Sequence, residues 1–148
     1  MFRIDGGGTW FHRRDMLSYS KVAQAGIAAV SYLASVAGEN RLAGSAEIAE
    51  SRRISRQMIA KVLTMLSRKG LVEGTPGPSG GYRLSRPPAE ISLLDIVTAF
   101  DDPEERVMCP FGPHWCGNGA PCPLHDRLME MHQQTLDQLA AESFAQFQ

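Results

Sequence analysis

Two short helical segments, separated by a brief turn, constrain the fold of this chain more than any other feature. Ser45 is placed to cap a helix over residues 46–52, and Ser55 to cap a second helix over residues 56–69. Gly70 follows as a residue type that commonly ends a helix. The second helix carries an apolar stripe at helical spacing, formed by Ile59, Val62, Leu63 and Leu66. Such a pair predicts a helix-turn-helix motif.

The start of the second helix contains residue types that read DNA. Arginine and glutamine can each make two hydrogen bonds to one base, and a helix-turn-helix motif presents them to the major groove. We therefore expect Arg56, Gln57, Ala60 and Lys61 to face the bases. Arg53 and Ser55, just before the helix, are expected to contact phosphate, which sets the register of the protein on the duplex.

Positive charge is concentrated in the middle of the chain, although the whole sequence has a formal net charge of −1. Between Arg41 and Pro88 there are nine Lys or Arg residues against three Glu residues, a local charge of +6. A solvated helix face is the ordinary explanation for such charge. Here the charge falls on the first turn of a helix-turn-helix, which favours a surface for double-stranded DNA.

A β-hairpin is predicted directly after the second helix. Leu71 and Val72 precede a turn rich in Gly and Pro, and Tyr82 and Leu84 follow it. A hairpin in this position indicates the wing of a winged helix-turn-helix domain. The residues of the wing that we expect at the DNA surface are Gly80, Gly81, Tyr82 and Arg83.

Further helices are expected on both sides of this unit. Residues 18–37 have helical spacing, and Ser92 with Asp95 forms a capping box for a helix that ends near Phe100. Pro123 is expected to open a last helix that runs to about Phe144. Its apolar stripe is close to heptad spacing, which predicts packing against a second copy of the chain: Leu124, Leu128, Met131, Thr135 and Leu139. The predicted fold is mainly α with a small β-hairpin.

The chain divides into four predicted segments. These are a flexible appendage over residues 1–15, the DNA-binding domain over 16–101, a Cys-rich loop over 102–123, and a dimerisation helix with its tail over 124–148. No apolar run is long enough to cross a membrane, and the first residues lack the apolar segment of a secretory signal. We therefore expect a cytoplasmic protein without a membrane partner.

All three cysteines lie between Cys109 and Cys122, in a stretch that is rich in Gly and Pro and has no periodicity. Three cysteines cannot all pair within one chain. Clustered cysteines in a chain without a secretory signal indicate metal or redox chemistry before a disulfide scaffold. Thiolates bind soft metals and iron–sulfur clusters, so three of them supply most of a four-ligand site.

Several stretches of the sequence together are specific to one family. They are AEIAE before the turn, IS at the start of the second helix, KGLV after it, GPSGGYRL in the hairpin, and ISLLDIV beyond. With them the chain closely resembles the Rrf-two family of bacterial winged helix-turn-helix regulators, which includes IscR- and NsrR-like proteins, from about Leu17 to Leu139. The resemblance implies a homodimer built on a long C-terminal helix and, as in many members, a cluster-binding loop just before that helix.

The resemblance also implies which residues hold the cluster: Cys109, Cys116, Cys122 and His125. The intervals between them are six, five and two residues, whereas IscR-like proteins have five, five and two. Some relatives use a carboxylate from the first helix, and the matching stretch over residues 21–23 has none. The histidine favours a 2Fe–2S cluster, and the extra loop residue leaves 4Fe–4S open. In the wing, Pro76 stands where several members have a basic residue for the minor groove, so Arg83 or Arg86 is left for phosphate contacts.

Other interpretations of the cysteines stay open at this point. His114 lies inside the loop and rivals His125 as the fourth ligand. Zinc can occupy three cysteines and a histidine as a structural site, and a similar spacing occurs in zinc fingers that bind RNA. A regulator without a cluster, with inert thiols or thiol-based sensing, is a third interpretation. The winged-helix pattern argues against the RNA-binding finger, and the lack of a nucleotide or substrate motif argues against an electron-transfer enzyme.

The predicted function is a sequence-specific DNA-binding transcriptional regulator, either a repressor or an activator, and not an enzyme. A homodimer would read a near-palindromic operator through two copies of the second helix. Its operator binding is expected to respond to redox state, nitric oxide or cluster status, without a small-molecule substrate.

Overall fold

A computed structural model describes residues 19–103 and 121–148 of the chain. Along these residues run helices and an antiparallel hairpin with the following bounds: α1 Lys21–Ser35, α2 Ser45–Arg52, α3 Arg56–Arg68, β1 Val72–Thr75, β2 Gly81–Leu84, α4 Leu93–Phe100 and α5 His125–Ala141. Short 3-10 turns occur at Ala37–Glu39, Pro88–Glu90 and Phe144–Phe147. The predicted appendage and most of the predicted Cys-rich loop lie outside the described residues.

The helix α1 lies at the centre of the fold and packs against α2, α3 and α4. The Ser20 hydroxyl accepts the Ala23 N–H at 3.1 Å and caps the first turn. Val30 and Leu33 are buried on the inner side of the helix. The predicted helix is confirmed but ends earlier than expected, because the chain tightens into a 3-10 turn after Val36.

The predicted helix-turn-helix is confirmed, with one difference at the start of α2. Ser45 is the first helical residue and not the cap, which is Gly44. The Gly44 N–H donates to the Glu47 carboxylate at 3.3 Å, so the side chain three residues into the helix satisfies this amide without the serine. Arg53 ends α2 in the left-handed conformation, with φ at 54°, and the Ser55 hydroxyl caps α3 as predicted.

The hairpin pairs Val72–Thr75 with Gly81–Leu84 in antiparallel register. Its first strand extends beyond the predicted apolar pair because the pairing continues into the turn. Tyr82 exchanges both backbone hydrogen bonds with Ala43, at 2.8 and 2.9 Å, which joins the wing to the segment before α2. Gly81 is required at this junction, because a Cβ there would lie 2.8 Å from the Ala43 carbonyl oxygen.

The chain after α5 returns to the N-terminal helices. The Phe144 N–H donates to the Ile91 carbonyl at 3.0 Å, and the Leu93 N–H donates to the Glu142 carbonyl at 2.9 Å. Phe144 is fully buried in the main hydrophobic core. The prediction of a helix from Pro123 to about Phe144 is therefore wrong at both ends: α5 begins at His125, and it stops at Ala141 because an extended backbone is needed to bring Phe144 into the core.

One hydrophobic core joins α1, α3, α4 and the hairpin. The predicted stripe of α3 is fully buried in it: Ile59, Val62, Leu63 and Leu66. The capping box at the start of α4 is also confirmed, since Ser92 and Asp95 exchange side-chain bonds to each other's backbone N–H at 3.1 and 2.9 Å. The architecture is the predicted one, mainly α with a β-hairpin as wing. Within residues 19–103 and 121–148, no helix combines the length and apolarity needed to cross a bilayer.

Candidate nucleic-acid interface and cysteine segment

The side of α3 that faces away from the core is polar and exposed along the whole helix. Its exposed residues recur at intervals of three and four: Gln57, Lys61, Thr64 and Arg68. This face therefore offers an amide, an ammonium group, a hydroxyl and a guanidinium to a nucleic acid. The sequence prediction covers Gln57 and Lys61 but omits Thr64 and Arg68, although helical spacing places all four on one face.

The beginning of α3 offers groups that suit phosphate. Arg53, Ser55 and Arg56 are all exposed there. The first N–H groups of a helix have no partners within the helix, and its dipole places partial positive charge at this end. The Ser55 hydroxyl accepts the Met58 N–H at 3.3 Å, so its own proton is still available to an incoming acceptor. The predicted phosphate contacts, Arg53 and Ser55, thus lie together at the exposed start of α3.

The two arginines at the end of α2 differ in their surroundings. Arg52 donates from Nε to the Ala28 carbonyl at 3.1 Å, and its guanidinium lies 5.4 Å from the centre of the Tyr32 ring. These contacts fasten α2 to α1. Arg53 has no side-chain hydrogen bond or ion pair among the residues that the structure describes. Arg53 is therefore the one of the pair whose side chain is free to contact DNA.

A polar network fixes the start of α2 against α1. The Tyr32 hydroxyl donates to Glu47 Oε1 at 2.5 Å, and Arg41 Nη1 lies 2.7 Å from the same oxygen. The hydrogen bond from Tyr32 and the bond from Arg41 lower the pKa of Glu47, and the bond to Glu47 raises the pKa of Tyr32. Because only the short turn separates α2 from α3, the network also orients α3 relative to α1.

The wing presents less free charge than its sequence suggests. Arg83 donates through Nε and Nη2 to one oxygen of Glu73, at 3.0 and 2.9 Å. Tyr82 is half-buried, and its ring covers Gly74, where an added Cβ would lie 3.0 Å from the ring. A Cβ at Gly80 would lie 2.8 Å from the Pro76 carbonyl carbon, so glycine is required for the tight tip. Gly80, Gly81 and Tyr82, which were predicted to contact DNA, thus also determine the shape of the wing. Arg83, the fourth predicted contact, forms an ion pair with Glu73.

Two of the four expected cluster ligands fall within the described residues. Cys122 is a half-buried free thiol, and His125 is the first residue of α5. The His125 N–H donates to the Cys122 carbonyl at 2.9 Å, so a single turn brings the two residues together. Cys109, Cys116 and the rival His114 lie outside the described residues. Within the described ranges, no group of three or more potential metal ligands occurs.

A thiolate and an imidazole that share one turn are donors that suit iron or zinc. The first turn of α1 has no acidic residue, so it offers no carboxylate in place of His125. The cysteine segment is the stretch that contains Cys109, Cys116 and Cys122. Before this segment, Asp101 accepts the Ser20 N–H at 2.8 Å. Burial, and then the charge of Asp101, raise the pKa of Tyr19. The head, which comprises residues 19–103, therefore has its last residues beside the capped start of α1, and α5 begins at His125 after the cysteine segment.

Sequence comparisons extend over nearly the whole described chain. Residues 19–148 match the family model described as Rrf2: Iron-dependent Transcriptional regulator. A protein of Aquifex aeolicus named as an HTH-type transcriptional regulator is 35% identical over 121 residues, which cover 80% of this chain and 83% of that protein. The HTH-type transcriptional regulator IscR of Aliivibrio salmonicida is 34% identical over 80 residues, covering 54% of this chain and 47% of IscR. These relatives are transcriptional regulators and not enzymes.

The fold is also found among solved structures. CymR of B. subtilis, described as its global cysteine regulator, superposes with a TM-score of 0.75 at 21% sequence identity, covering 90% of this chain and 99% of CymR. At this identity the likeness establishes the fold alone. It agrees with the helix order and the two-stranded wing described above.

Proposed function

Because this chain belongs to the Rrf2 family of transcriptional regulators, we propose that it binds a specific operator in double-stranded DNA and that a metal centre at its cysteine segment controls this binding. The exposed face of α3 carries the proposal. Gln57 and Lys61 lie opposite a fully buried stripe, directly after a capped helix start with Arg53 and Arg56 exposed. This arrangement supports base reading by Arg56, Gln57 and Lys61 and a phosphate contact by Arg53.

A homodimer is part of the proposal. Leu139 on α5 is buried, whereas Met131 on the same helix and Leu124, the residue just before it, are 62% and 46% exposed. Large apolar side chains exposed along one helix support packing against a second copy. Two copies would carry two α3 helices, each of which reads one half-site, so that the spacing between the copies sets the operator.

The described residues fit a metal centre, since Cys122 and His125 share a turn and supply soft and borderline donors. We infer that Cys109 and Cys116 complete the ligand set, with a 2Fe–2S cluster favoured and 4Fe–4S open. A bound cluster would supply a group that responds to redox state or nitric oxide. The residues of the chain itself transmit the response, because His125 begins α5 and α5 packs on α4 in the head. Changed ligation there would alter the orientation of the two α3 helices.

The first experiment is purification without oxygen, followed by a visible spectrum with iron, sulfide and zinc assays. Broad visible absorption with stoichiometric iron and sulfide is expected for a thiolate-ligated cluster. His125→Ala is expected to change this spectrum, whereas Asp126→Ala, an exposed neighbour, should leave it unchanged. A spectrum identical in all three proteins would remove His125 from the ligand set.

A second candidate is the same DNA-binding dimer with a structural zinc or with thiol-based sensing. This candidate is supported by the likeness in fold to CymR, which is described as a cysteine regulator. A colourless protein that contains zinc would replace the cluster by a structural metal. A colourless, metal-free protein whose DNA binding changes on thiol oxidation would support thiol sensing.

The base-reading assignment is tested on DNA. Gln57→Ala is expected to relax sequence preference by about 1–3 kcal/mol at one base position while nonspecific binding is retained. Gln146→Ala, at an exposed glutamine after α5, is the matched control. Sequence selection from a random duplex library, followed by binding titrations, measures both. Equal weakening on selected and unrelated duplexes would show that Gln57 does not read a base.

A further inference from the structure

A groove runs between the C-terminal half of α3 and the wing. It has a volume of about 360 Å³ and opens on the same side as the exposed face of α3. Its lining is formed by Thr64, Ser67, Arg68, Gly74, Thr75, Pro76 and Tyr82. Three of these side chains are aliphatic hydroxyls, one is a phenol, one is a guanidinium and none is a carboxylate. This composition suits an anion that is held by hydrogen bonds and one positive charge.

The polar groups of the groove are largely unused within the protein. Among the described residues, Arg68 forms no ion pair, and the hydroxyls of Ser67 and Thr75 have no hydrogen-bond partner. Arg83, the other arginine nearby on the hairpin, is bound to Glu73 instead. Arg68 is therefore the cation that the groove itself supplies.

The position of Arg68 along α3 determines which part of a DNA duplex its side chain can contact. Arg68 lies eleven residues beyond Gln57 on the same face, which is about 16 Å along the helix axis. The major groove of B-DNA is only about 12 Å wide. If α3 crosses the groove with its first turn at the bases, Arg68 lies beyond the groove edge, where the sugar-phosphate backbone passes.

We propose that the groove between α3 and the wing holds the sugar-phosphate backbone that flanks the base-reading site, with Arg68 as the phosphate-binding residue. The inference rests on the proposed DNA binding and adds a positioning contact to it. Ser67 and Thr75 donate to the same phosphate or to its neighbour. The wing then acts as the second wall of the groove, which compensates for Pro76 in place of a basic residue that could enter the minor groove.

The test uses the full chain and two duplexes of equal length, one selected by the protein from a random library and one unrelated. Arg68→Ala is expected to weaken binding to both duplexes equally, by about tenfold. The slope of log affinity against log salt should decrease by about 0.9 for each phosphate that the variant no longer neutralises. Arg68→Lys keeps the charge and is expected to retain the wild-type salt slope.

Lys69→Ala is the matched control, because Lys69 is the neighbouring exposed cation and does not line the groove. Suppose that the wild-type protein binds the selected duplex and that Arg68→Ala and Lys69→Ala bind it with equal affinity. This result would overturn the groove assignment alone. A loss confined to the selected duplex would overturn it too, since Arg68 would then read bases. A wild-type protein that selects no duplex from the library would overturn the proposed function together with this inference.

Discussion

Phe144 shows how much one side chain near the end of the chain contributes to the head. Its ring is fully buried, whereas the neighbouring Phe147 ring, 5.5 Å away between centroids, is 44% exposed. Truncation of a buried phenylalanine removes its burial and leaves a cavity. The comparison between these two rings therefore separates the contribution of burial from that of ring stacking.

We expect Phe144→Ala to lower the free energy of unfolding by about 3–5 kcal/mol, the usual range for a buried phenylalanine. Phe147→Ala is expected to cost about 1 kcal/mol or less, because its ring is already partly hydrated. Urea denaturation followed by circular dichroism measures both values. Similar losses for the two variants would mean that Phe144 does not belong to the core of the head.

Glu47 connects stability to pH. The Tyr32 hydroxyl, and then Arg41, hold the pKa of its carboxyl below the ordinary value of 4.5. A lowered pKa in the folded state gives stability that is complete above the unfolded pKa and is lost as the pH falls through the folded pKa. The network therefore weakens on the acid side of about pH 4.5 and is intact at neutral pH.

Glu47→Gln is expected to flatten the decrease in unfolding free energy between about pH 5 and pH 3, because the titrating group is gone. Glu50→Gln, at an exposed position of the same helix, should retain the wild-type pH dependence. Urea titrations at several pH values provide the comparison. A wild-type slope in Glu47→Gln would show that the bond from Tyr32 does not stabilise the charged carboxylate.

The crossing of α1 and α4 depends on one glycine. A Cβ added to Gly26 would overlap the ring of Phe100 at the end of α4. Alanine is the better helix former by about 1 kcal/mol, but overpacking in a core typically costs about 1–3 kcal/mol. The cost of the steric overlap therefore exceeds the gain in helix propensity for as long as the Phe100 ring occupies this position.

We expect Gly26→Ala to destabilise the wild-type protein by about 1 kcal/mol and to stabilise a Phe100→Ala protein, in which the added methyl group has room. The free energies of unfolding of the four proteins in this double-mutant cycle give the coupling between the two positions. The same sign in both backgrounds would show that the helices do not meet at Gly26.

The elements themselves were largely predictable from local patterns. Helical spacing and capping residues together predicted the α-helices of the described residues, and the serine caps at Ser55 and Ser92 are confirmed. The errors lie at helix ends, where another side chain can bond to the free backbone N–H in place of the predicted cap. The Glu47 carboxylate accepts the Gly44 N–H, so Ser45 becomes the first helical residue. The burial of Phe144 has no local signal, because its partner Ile91 is distant in the sequence.

The residue types of the candidate interface were predictable, but their availability was not. Arg52 and Arg53 are neighbours of the same type, and only the packing of α2 on α1 shows that Arg52 is occupied by Ala28 and Tyr32. The ion pair of Arg83 with Glu73 requires the hairpin register, which places these two residues opposite each other. The ligand assignments and the wing contacts remain predictions.

At the scale of the whole molecule, α5 has two different sides. Leu139 is buried, whereas Met131 on another side of the helix is 62% exposed. Ala140 is exposed about half a turn of azimuth away from Met131. The two positions therefore distinguish the surface that we propose for the second copy from the remaining solvent-exposed surface.

Met131→Glu is expected to convert a dimer into a monomer at micromolar concentration, since a buried unpaired carboxylate is costly in an apolar interface. Operator affinity should decrease because the two half-sites are then bound separately. Ala140→Glu is expected to remain dimeric. Light scattering after size exclusion gives the masses, and a dimeric Met131→Glu protein would move the interface elsewhere.

The return of the chain after α5 also gives the protein an order of assembly. The head acquires Phe144 only after α5 has been synthesised, because the residue that completes its core follows that helix in the sequence. A nascent chain that ends within the cysteine segment therefore has α3 but an unfinished core. The core of the proposed DNA-binding head is therefore completed only when the helix that we propose to pair two protomers has already been synthesised.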